Sequence, residues 1–283
     1  MLDCETEHPD GEGKIVDVLS HLADYFVIDA MSIAHRKHSS VVGFTKHLHS
    51  FAGDVLAGEI DAVDKVRHSK DVTFIFGGSK VEDSFKVMKK WLDDGRARNV
   101  LVGGALAVLL LHAKGKNVGG SKEYLKNSGL EQHTLDAAAM LTKYDGQIVL
   151  PEDVGLYLKQ ERSEANADHI THGEIWDIGE KTIEKYVSII NESQCIVMNG
   201  PAGVYEVDAF SKGTRSILEA IAKCDSFSLL GGGHTITAIE RFGIDKKYFG
   251  YVSLSGKALI EYLCGKDLAG VSALNENEKK FRA

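Results

Sequence analysis

The chain has 283 residues, 43% hydrophobic and 26% charged, with only three prolines. That suits one large soluble globular domain or two smaller ones and argues against long structureless linkers. A net charge of −8 speaks against a broad nucleic-acid footprint, yet leaves room for a local basic pocket around a small phosphorylated ligand. The four cysteines, Cys4, Cys195, Cys224 and Cys264, are scattered and form no C-x-x-C pair, so they read as reduced thiols of a cytoplasmic protein. Residues 1–14 have no apolar signal-peptide core, and no apolar run reaches membrane-spanning length.

Residues 24–29 read as a buried strand, followed by the basic cluster His35-Arg36-Lys37-His38. Both a solvated loop and a ligand site at the carboxyl end of a strand fit that cluster. Residues 41–63 read as one long helix connecting two lobes. The next strand, residues 71–76, runs into Gly77-Gly78-Ser79-Lys80, and Val81, Phe85, Met88 and Leu92 then repeat at helical spacing. Two glycines and a lysine at such a turn suit a phosphate, with Lys80 as a point charge, although the G-x-x-x-x-G-K-[ST] spacing of a P-loop is absent. Residues 99–102 form a strand before Gly103-Gly104, where small residues serve either a flat ligand or close helix packing.

A helix over residues 135–144 and strands over 147–150 and 154–157 follow, and the polar residues 162–172 read as a surface excursion. Residues 194–198 are a strand ending in Asn199-Gly200-Pro201, with a helix over 208–223. The strand 227–230 ends in Gly231-Gly232-Gly233-His234-Thr235 and a further helix. There, unpaired N–H groups and the positive end of the helix dipole make an anion site. A last strand over 248–253 and a helix over 255–264 complete the pattern. Strand, glycine turn and helix in alternation predict an α/β fold, a doubly wound (Rossmann-like) parallel sheet. Four glycine turns after strands, at Gly77, Gly103, Gly200 and Gly231, would gather on one sheet edge and hold a nucleotide. A dinucleotide oxidoreductase is disfavoured, because no G-x-G-x-x-G with a following acid is present.

The run Asn199-Gly200-Pro201-Ala202-Gly203-Val204-Tyr205-Glu206 resembles the Asn-Gly-Pro-Met-Gly-Val-Phe-Glu motif of phosphoglycerate kinases. Gly77-Gly78-Ser79-Lys80-Val81, Phe210-Ser211-Lys212-Gly213-Thr214, the triple glycine and the Asp29-Ala30 to His35-Arg36 and His38-Ser39 stretch resemble further family elements, in family order over essentially the whole chain. The resemblance implies reversible phosphoryl transfer between 1,3-bisphosphoglycerate and MgADP, with ATP/ADP and Mg2+ as the cofactors. It places Glu206 on the ribose hydroxyls and Gly77, Gly78 and Gly103 around the adenine. Lys80 and Asn199 would meet the phosphates. Gly231 and the backbone of Gly232, Gly233, His234 and Thr235 would lie at the phosphoryl in flight, with Lys80, Gly232, Gly233 and Thr235 catalytic. Arg36 and His35 would stand on the 3-phosphoglycerate side. No nucleic acid or membrane partner is implied, and the family is usually monomeric.

Several positions depart from the family pattern. His234 stands where most members carry a magnesium-serving Asp, and imidazole is a poor donor to a hard ion. His234 and Ser84, the latter in place of a second lysine, resemble the archaeal branch. Leu254-Ser255-Gly256-Lys257 replaces Thr-Gly-Gly-Gly, and Thr6 falls where an arginine is expected. The early Asp-x-Asn and His-x-Gly-Arg motifs are not found. Residues 1–45 therefore read as a remnant of the 3-phosphoglycerate domain, 46–63 as the connecting helix, 64–266 as the nucleotide domain and 267–283 as a tail that packs back on the remnant. Most of the substrate domain being missing, a nucleotide-binding module without transfer is the alternative, and exposed apolar surface would favour association.

Overall fold

The computed structural model describes residues 12–282; Cys4 and Thr6 lie outside them. The chain divides into two compact units, one formed by residues up to Arg67 together with those from Ser253 onward, the other by His68–Val252.

In the first unit, strands β1 (Tyr25–Ile28) and β2 (His49–Ala52) pair in parallel, Tyr25 opposite His49 and Ile28 opposite Ala52. Residues 41–63 are not one helix. Two tight turns, Ser39–Gly43 and Phe44–Lys46, lead into β2, and the helix begins only at Asp54 and runs to His68. Pairing with β1 outweighs the local pattern over 49–52. Asp29 accepts the Val55 and Leu56 N–H groups at 2.7 and 3.2 Å, so this carboxylate caps the helix at the end where bare N–H groups need partners. A small core of Val16, Phe44 and Leu48 takes in Ile15 and Phe26. The C-terminal helix, Ala269–Arg282, is tied here by buried Asn277, whose amide donates to Thr45 O and Leu48 O and whose Oδ1 accepts Ser50 N–H at 2.9 Å.

The second unit carries the large sheet. Its parallel strands are β3 (Val72–Phe76), β4 (Ala97–Val102), β5 (Ile148–Val149), β9 (Cys195–Asn199), β10 (Phe227–Gly231) and β11 (Tyr251–Val252), ordered β11-β10-β9-β3-β4-β5. Every residue of β3 is buried, as expected of a central parallel strand covered on both faces. The intervening helices carry the apolar stripes that cover it, such as Ile183, Tyr186 and Ile190 on Glu180–Asn191 and Ile217, Leu218 and Ile221 on Lys212–Lys223. A three-stranded antiparallel sheet is formed by β6 (Asp153–Leu158), β7 (Glu161–Asn166) and β8 (Glu174–Ile178), with β6 central. The start of the expected excursion over 162–172 is thus strand β7, turned back on β6 by Lys159 and Gln160, both at positive φ. That two-residue turn carries the twist an antiparallel hairpin needs. The strand expected over 248–253 shrinks to β11, preceded by the turn Lys246–Tyr248.

The unit boundaries differ from those expected at 64 and 266, since residues 253–266 group with the first unit. The reason is visible at Glu59, a buried carboxylate that accepts Ser253 Oγ at 2.6 Å, Ser255 Oγ at 2.8 Å and Leu254 N–H at 3.3 Å. Lys257 is exposed, 4.0 Å from Glu261. No helix among the described residues is long and apolar enough to cross a membrane.

Candidate functional site

Strand order reverses between β3 and β9: from β3 the chain moves outward to β4, from β9 outward to β10 in the opposite sense. Adjacent strands with diverging connections leave a crevice beyond their carboxyl ends. Two glycine turns meet there. Gly77 N–H donates to Asn199 O at 3.1 Å, Gly78 N–H to Pro201 O at 2.8 Å, and Gly104 N–H to Ala202 O at 2.6 Å. A Cβ on Gly77 would overlap the Pro201 carbonyl oxygen, and one on Gly103 would come within 2.6 Å of Ala202 Cα. These two glycines let main chain pack on main chain, while Gly78 and Gly104 take the places on the cavity wall.

On the other flank, β9 and β10 run in register so that Asn199 lies opposite Gly231. Gly232, at φ +90°, turns the chain into the helix Gly233–Arg241, and a Cβ on it would come 2.6 Å from Asn199 Oδ1. Thr235 is fully buried, and its hydroxyl accepts Gly200 N–H at 2.9 Å. One hydrogen bond therefore couples the Asn-Gly-Pro loop to the start of the glycine helix. Gly233 and His234 are exposed, and first-turn N–H groups have no intrahelical acceptor, which suits an anion. Lys80 is exposed just before the helix Val81–Asp93 and makes no ion pair among the described residues.

Between these turns lies a cavity of about 240 Å³. Gly78, Gly104, Ala105 and Val108 line one part, Tyr124, Glu174 and Trp176 another, and Glu206 and His234 a third. Trp176 stacks on Tyr157 at 4.0 Å with planes 9° apart and meets the edge of Phe210 at 5.2 Å. Its carbonyl accepts Val204 N–H at 2.7 Å, fixing the indole beside the Asn-Gly-Pro loop. Such a wall suits a flat heteroaromatic ring. Glu206 and His234 approach to 3.7 Å, both largely exposed.

Behind the loop stands a buried ion pair. Arg162 reaches Asp177 at 2.8 Å and also donates to Ala209 O and Ile178 O. Asp177 accepts Gly213 N–H at 2.9 Å at the start of the helix Lys212–Lys223, and a Cβ on Gly203 would come 2.7 Å from Asp177 Cα. Burial pushes the Asp177 carboxyl up to about 6, against the pull of Arg162 and the Gly213 N–H. One carboxylate thus touches both glycine-bearing motifs, Gly203 in the loop and Gly213 in the helix start.

The second unit accordingly brings together Gly77, Gly78, Gly103, Asn199, Glu206, Gly231, Gly232, Gly233, His234 and Thr235, with Lys80 following β3. His35 and Arg36 belong to the other unit, just after the short helix Met31–Ala34. His35 is half-buried, and desolvation lowers its imidazole pKa despite the Glu261 carboxylate. Sequence reasoning missed Tyr124, Glu174, Trp176 and the Arg162–Asp177 pair. The one available signal was an aromatic, Trp176, directly before Asp177, with Gly179 two residues beyond it. No group of three or more His, Cys, Asp or Glu that could hold a metal occurs among the described residues.

The family model for phosphoglycerate kinase matches residues 2–266. The chain is 34% identical to a phosphoglycerate kinase of Thermoplasma volcanium, over 99% of its own length and 70% of that protein. It is 38% identical to phosphoglycerate kinase 2 of Methanosarcina acetivorans, over 95% of its length and 65% of that protein. The crystal structure of phosphoglycerate kinase from Pyrococcus horikoshii superposes with a TM-score of 0.90 at 34% identity, covering 98% of this chain and 71% of that one. The chain thus spans between 65% and 70% of the length of these two curated relatives.

Proposed function

The chain belongs to the phosphoglycerate kinase family, and on that premise we propose that it transfers a phosphoryl group reversibly between the acyl phosphate of 1,3-bisphosphoglycerate and MgADP. The observation that carries the reading is the register of β9 against β10. It sets Asn199 opposite Gly231, ties Gly200 to Thr235 and leaves the start of the glycine helix open at the same sheet edge. Phosphoryl transfer asks little covalent chemistry of a protein and much positioning and charge stabilisation.

In this reading the base lies against Trp176, Val108 and Gly104, and Glu206 accepts from the ribose hydroxyls. Asn199 and Lys80 meet the phosphates, and the N–H groups of Gly233, His234 and Thr235 stabilise the equatorial oxygens of the phosphoryl in flight. His35 and Arg36 serve the phosphoglycerate. The donor set does not fit a magnesium ion held by the protein: His234 stands at the helix start, paired with Glu206, and imidazole is a poor ligand for so hard a cation. Magnesium belongs to the substrate, carried by the nucleotide phosphates. Cytoplasmic location is part of the proposal, supported by the lack of any disulfide among Cys195, Cys224 and Cys264.

The test is an assay of the full 283-residue chain with 1,3-bisphosphoglycerate and MgADP, coupled to ATP detection. Turnover is expected, and Lys80→Ala is expected to lower kcat by about 10²- to 10³-fold. Calorimetric titration with ADP should show binding that Glu206→Ala weakens roughly ten-fold, the worth of one or two hydrogen bonds to a charged acceptor. Binding without turnover would leave a nucleotide-binding module; absence of both would overturn the reading.

A further inference from the structure

The Asn-Gly-Pro loop is gripped from two sides. On one side its main chain pairs with the other glycine turns: Asn199 O accepts from Gly77, Pro201 O from Gly78 and Ala202 O from Gly104, while Gly200 N–H donates to the Thr235 hydroxyl. The other side rests on a single side-chain contact. Ala202 N–H donates to the Thr214 hydroxyl at 3.1 Å. Ala202 and Thr214 are both buried, and a buried N–H without an acceptor is costly. Thr214 lies in the run that resembles a family element, yet the resemblance gives it no role.

The hydroxyl of Thr214 is a fixed point. It stands in the first turn of the helix Lys212–Lys223, whose Ile217, Leu218 and Ile221 are fully buried in the core of the larger unit. That turn is pinned by its neighbour: Asp177 accepts Gly213 N–H at 2.9 Å, and a Cβ on Gly213 would come 2.2 Å from Asp177 Oδ1. Arg162 holds Asp177 in turn at 2.8 Å. The loop therefore hangs between a rigid helix start and the crevice, and Asn199 lies only three residues before the suspended N–H. With Ala202 released, nothing behind the loop keeps Gly200 on Thr235 or Asn199 opposite Gly231. In a reaction governed by alignment, a misplacement of about 1 Å costs up to about 10²-fold in rate.

Resting on the phosphoryl-transfer reading above, we infer that Thr214 is a positioning residue for that reaction: through Ala202 N–H it sets Asn199 and Gly200 against the glycine helix. It touches no substrate, since it is buried behind the loop. Its loss therefore acts on the transfer step more than on nucleotide affinity.

The test is the coupled assay on the full 283-residue chain. Thr214→Val keeps the shape and removes the acceptor; Thr214→Ser keeps the acceptor and removes a methyl group. Thr214→Val is expected to lower kcat about ten-fold with KM for ADP within about two-fold, and Thr214→Ser to retain kcat within about two-fold. In an Asn199→Ala background, Thr214→Val should lower kcat by less than about two-fold, because the group it positions is gone. Ser193→Ala removes a buried bond of 2.7 Å to Thr73, near the starts of β9 and β3, and as a control for lost stability it should leave kcat unchanged. If Thr214→Val does not fold, Thr214→Cys, a weaker acceptor, is read by the same criteria. Unchanged kcat without the hydroxyl, equal losses in the valine and serine variants, full additivity with Asn199→Ala, or an equal loss in Ser193→Ala each overturn the inference and leave phosphoryl transfer standing. Absence of turnover by the unmodified protein overturns the transfer reading and the inference with it.

Discussion

β3 is buried at every residue, whereas in β1 only Ile28 is buried and Tyr25 and Val27 stand out at 65% and 53% exposure. The two runs, Val-Thr-Phe-Ile-Phe and Tyr-Phe-Val-Ile, are similarly apolar, and basic residues follow each, Lys80 after the one and His35-Arg36 after the other. What separates them is the company each keeps. β3 has β4 and β9 as parallel neighbours and helices over it; among the described residues β1 has β2 alone, and Phe51 continues the exposed face opposite Val27. Two strands cannot bring several turns to one edge, so among the described residues the crevice with its glycines belongs to the larger unit. An apolar run is a licence to be a strand, and its neighbours decide whether it builds a site.

The contrast is broken most severely at the buried pair. Arg162→Met is expected to destabilise the larger unit by about 3–5 kcal/mol at pH 8, because Asp177 is left as an unpaired buried charge. Urea unfolding followed by Trp176 fluorescence measures it, and the penalty should shrink at pH 5, where Asp177 can take up a proton. Gly77→Ala is expected to cost about 1–3 kcal/mol by forcing the two loops apart, and ADP binding should fall with it. If Gly77→Ala binds ADP normally, the backbone contact with Pro201 is not what shapes the crevice.

A subtler effect comes from pH. Asp177 titrates near 6 when folded, above the ordinary 3.8, so the folded protein holds this proton more tightly than the unfolded chain. The linked stability is full below the ordinary value, declines as pH rises toward about 6 and is level above it. Relative to Asp177→Asn, the wild-type protein should therefore lose stability between pH 4 and pH 6 and keep a constant difference beyond. Parallel unfolding curves across that window would remove the argument that desolvation governs this carboxyl. Smallest of all, Tyr25→Ser with Val27→Thr should change stability by no more than about 0.5 kcal/mol, while binding of a hydrophobic dye drops. A large loss would mean that the exposed face of β1 is packed in solution.

Much of the larger unit was legible. β3, β9 and β10 announce themselves as short apolar runs closed by glycine, and the sheet edge follows from them because crossovers in parallel sheets have one hand. Asn199 and the glycine helix meet at one sheet edge, as their places at the ends of β9 and β10 implied. Other features were hidden for physical reasons. Gly77 and Gly103 look like ligand contacts, but their space is taken by Pro201 and Ala202, a fact of tertiary approach. Arg162 sits in a polar stretch, and only pairing with β6 turns it inward toward Asp177. The segment 41–63 has no local signal that Gly53 ends a strand and Asp29, far upstream, caps the helix after it.

The six-stranded sheet ends in strands of only two residues, β11 on one side and β5 on the other. An edge so short offers an incoming strand few free donors and acceptors, and natural sheets use such stubs to resist edge-to-edge growth. β1 and β2 are each four residues long, with Tyr25, Val27 and Phe51 on a bare face. Self-association of this chain under stress should therefore begin at the smaller sheet, leaving the glycine-lined crevice intact within the aggregates that form.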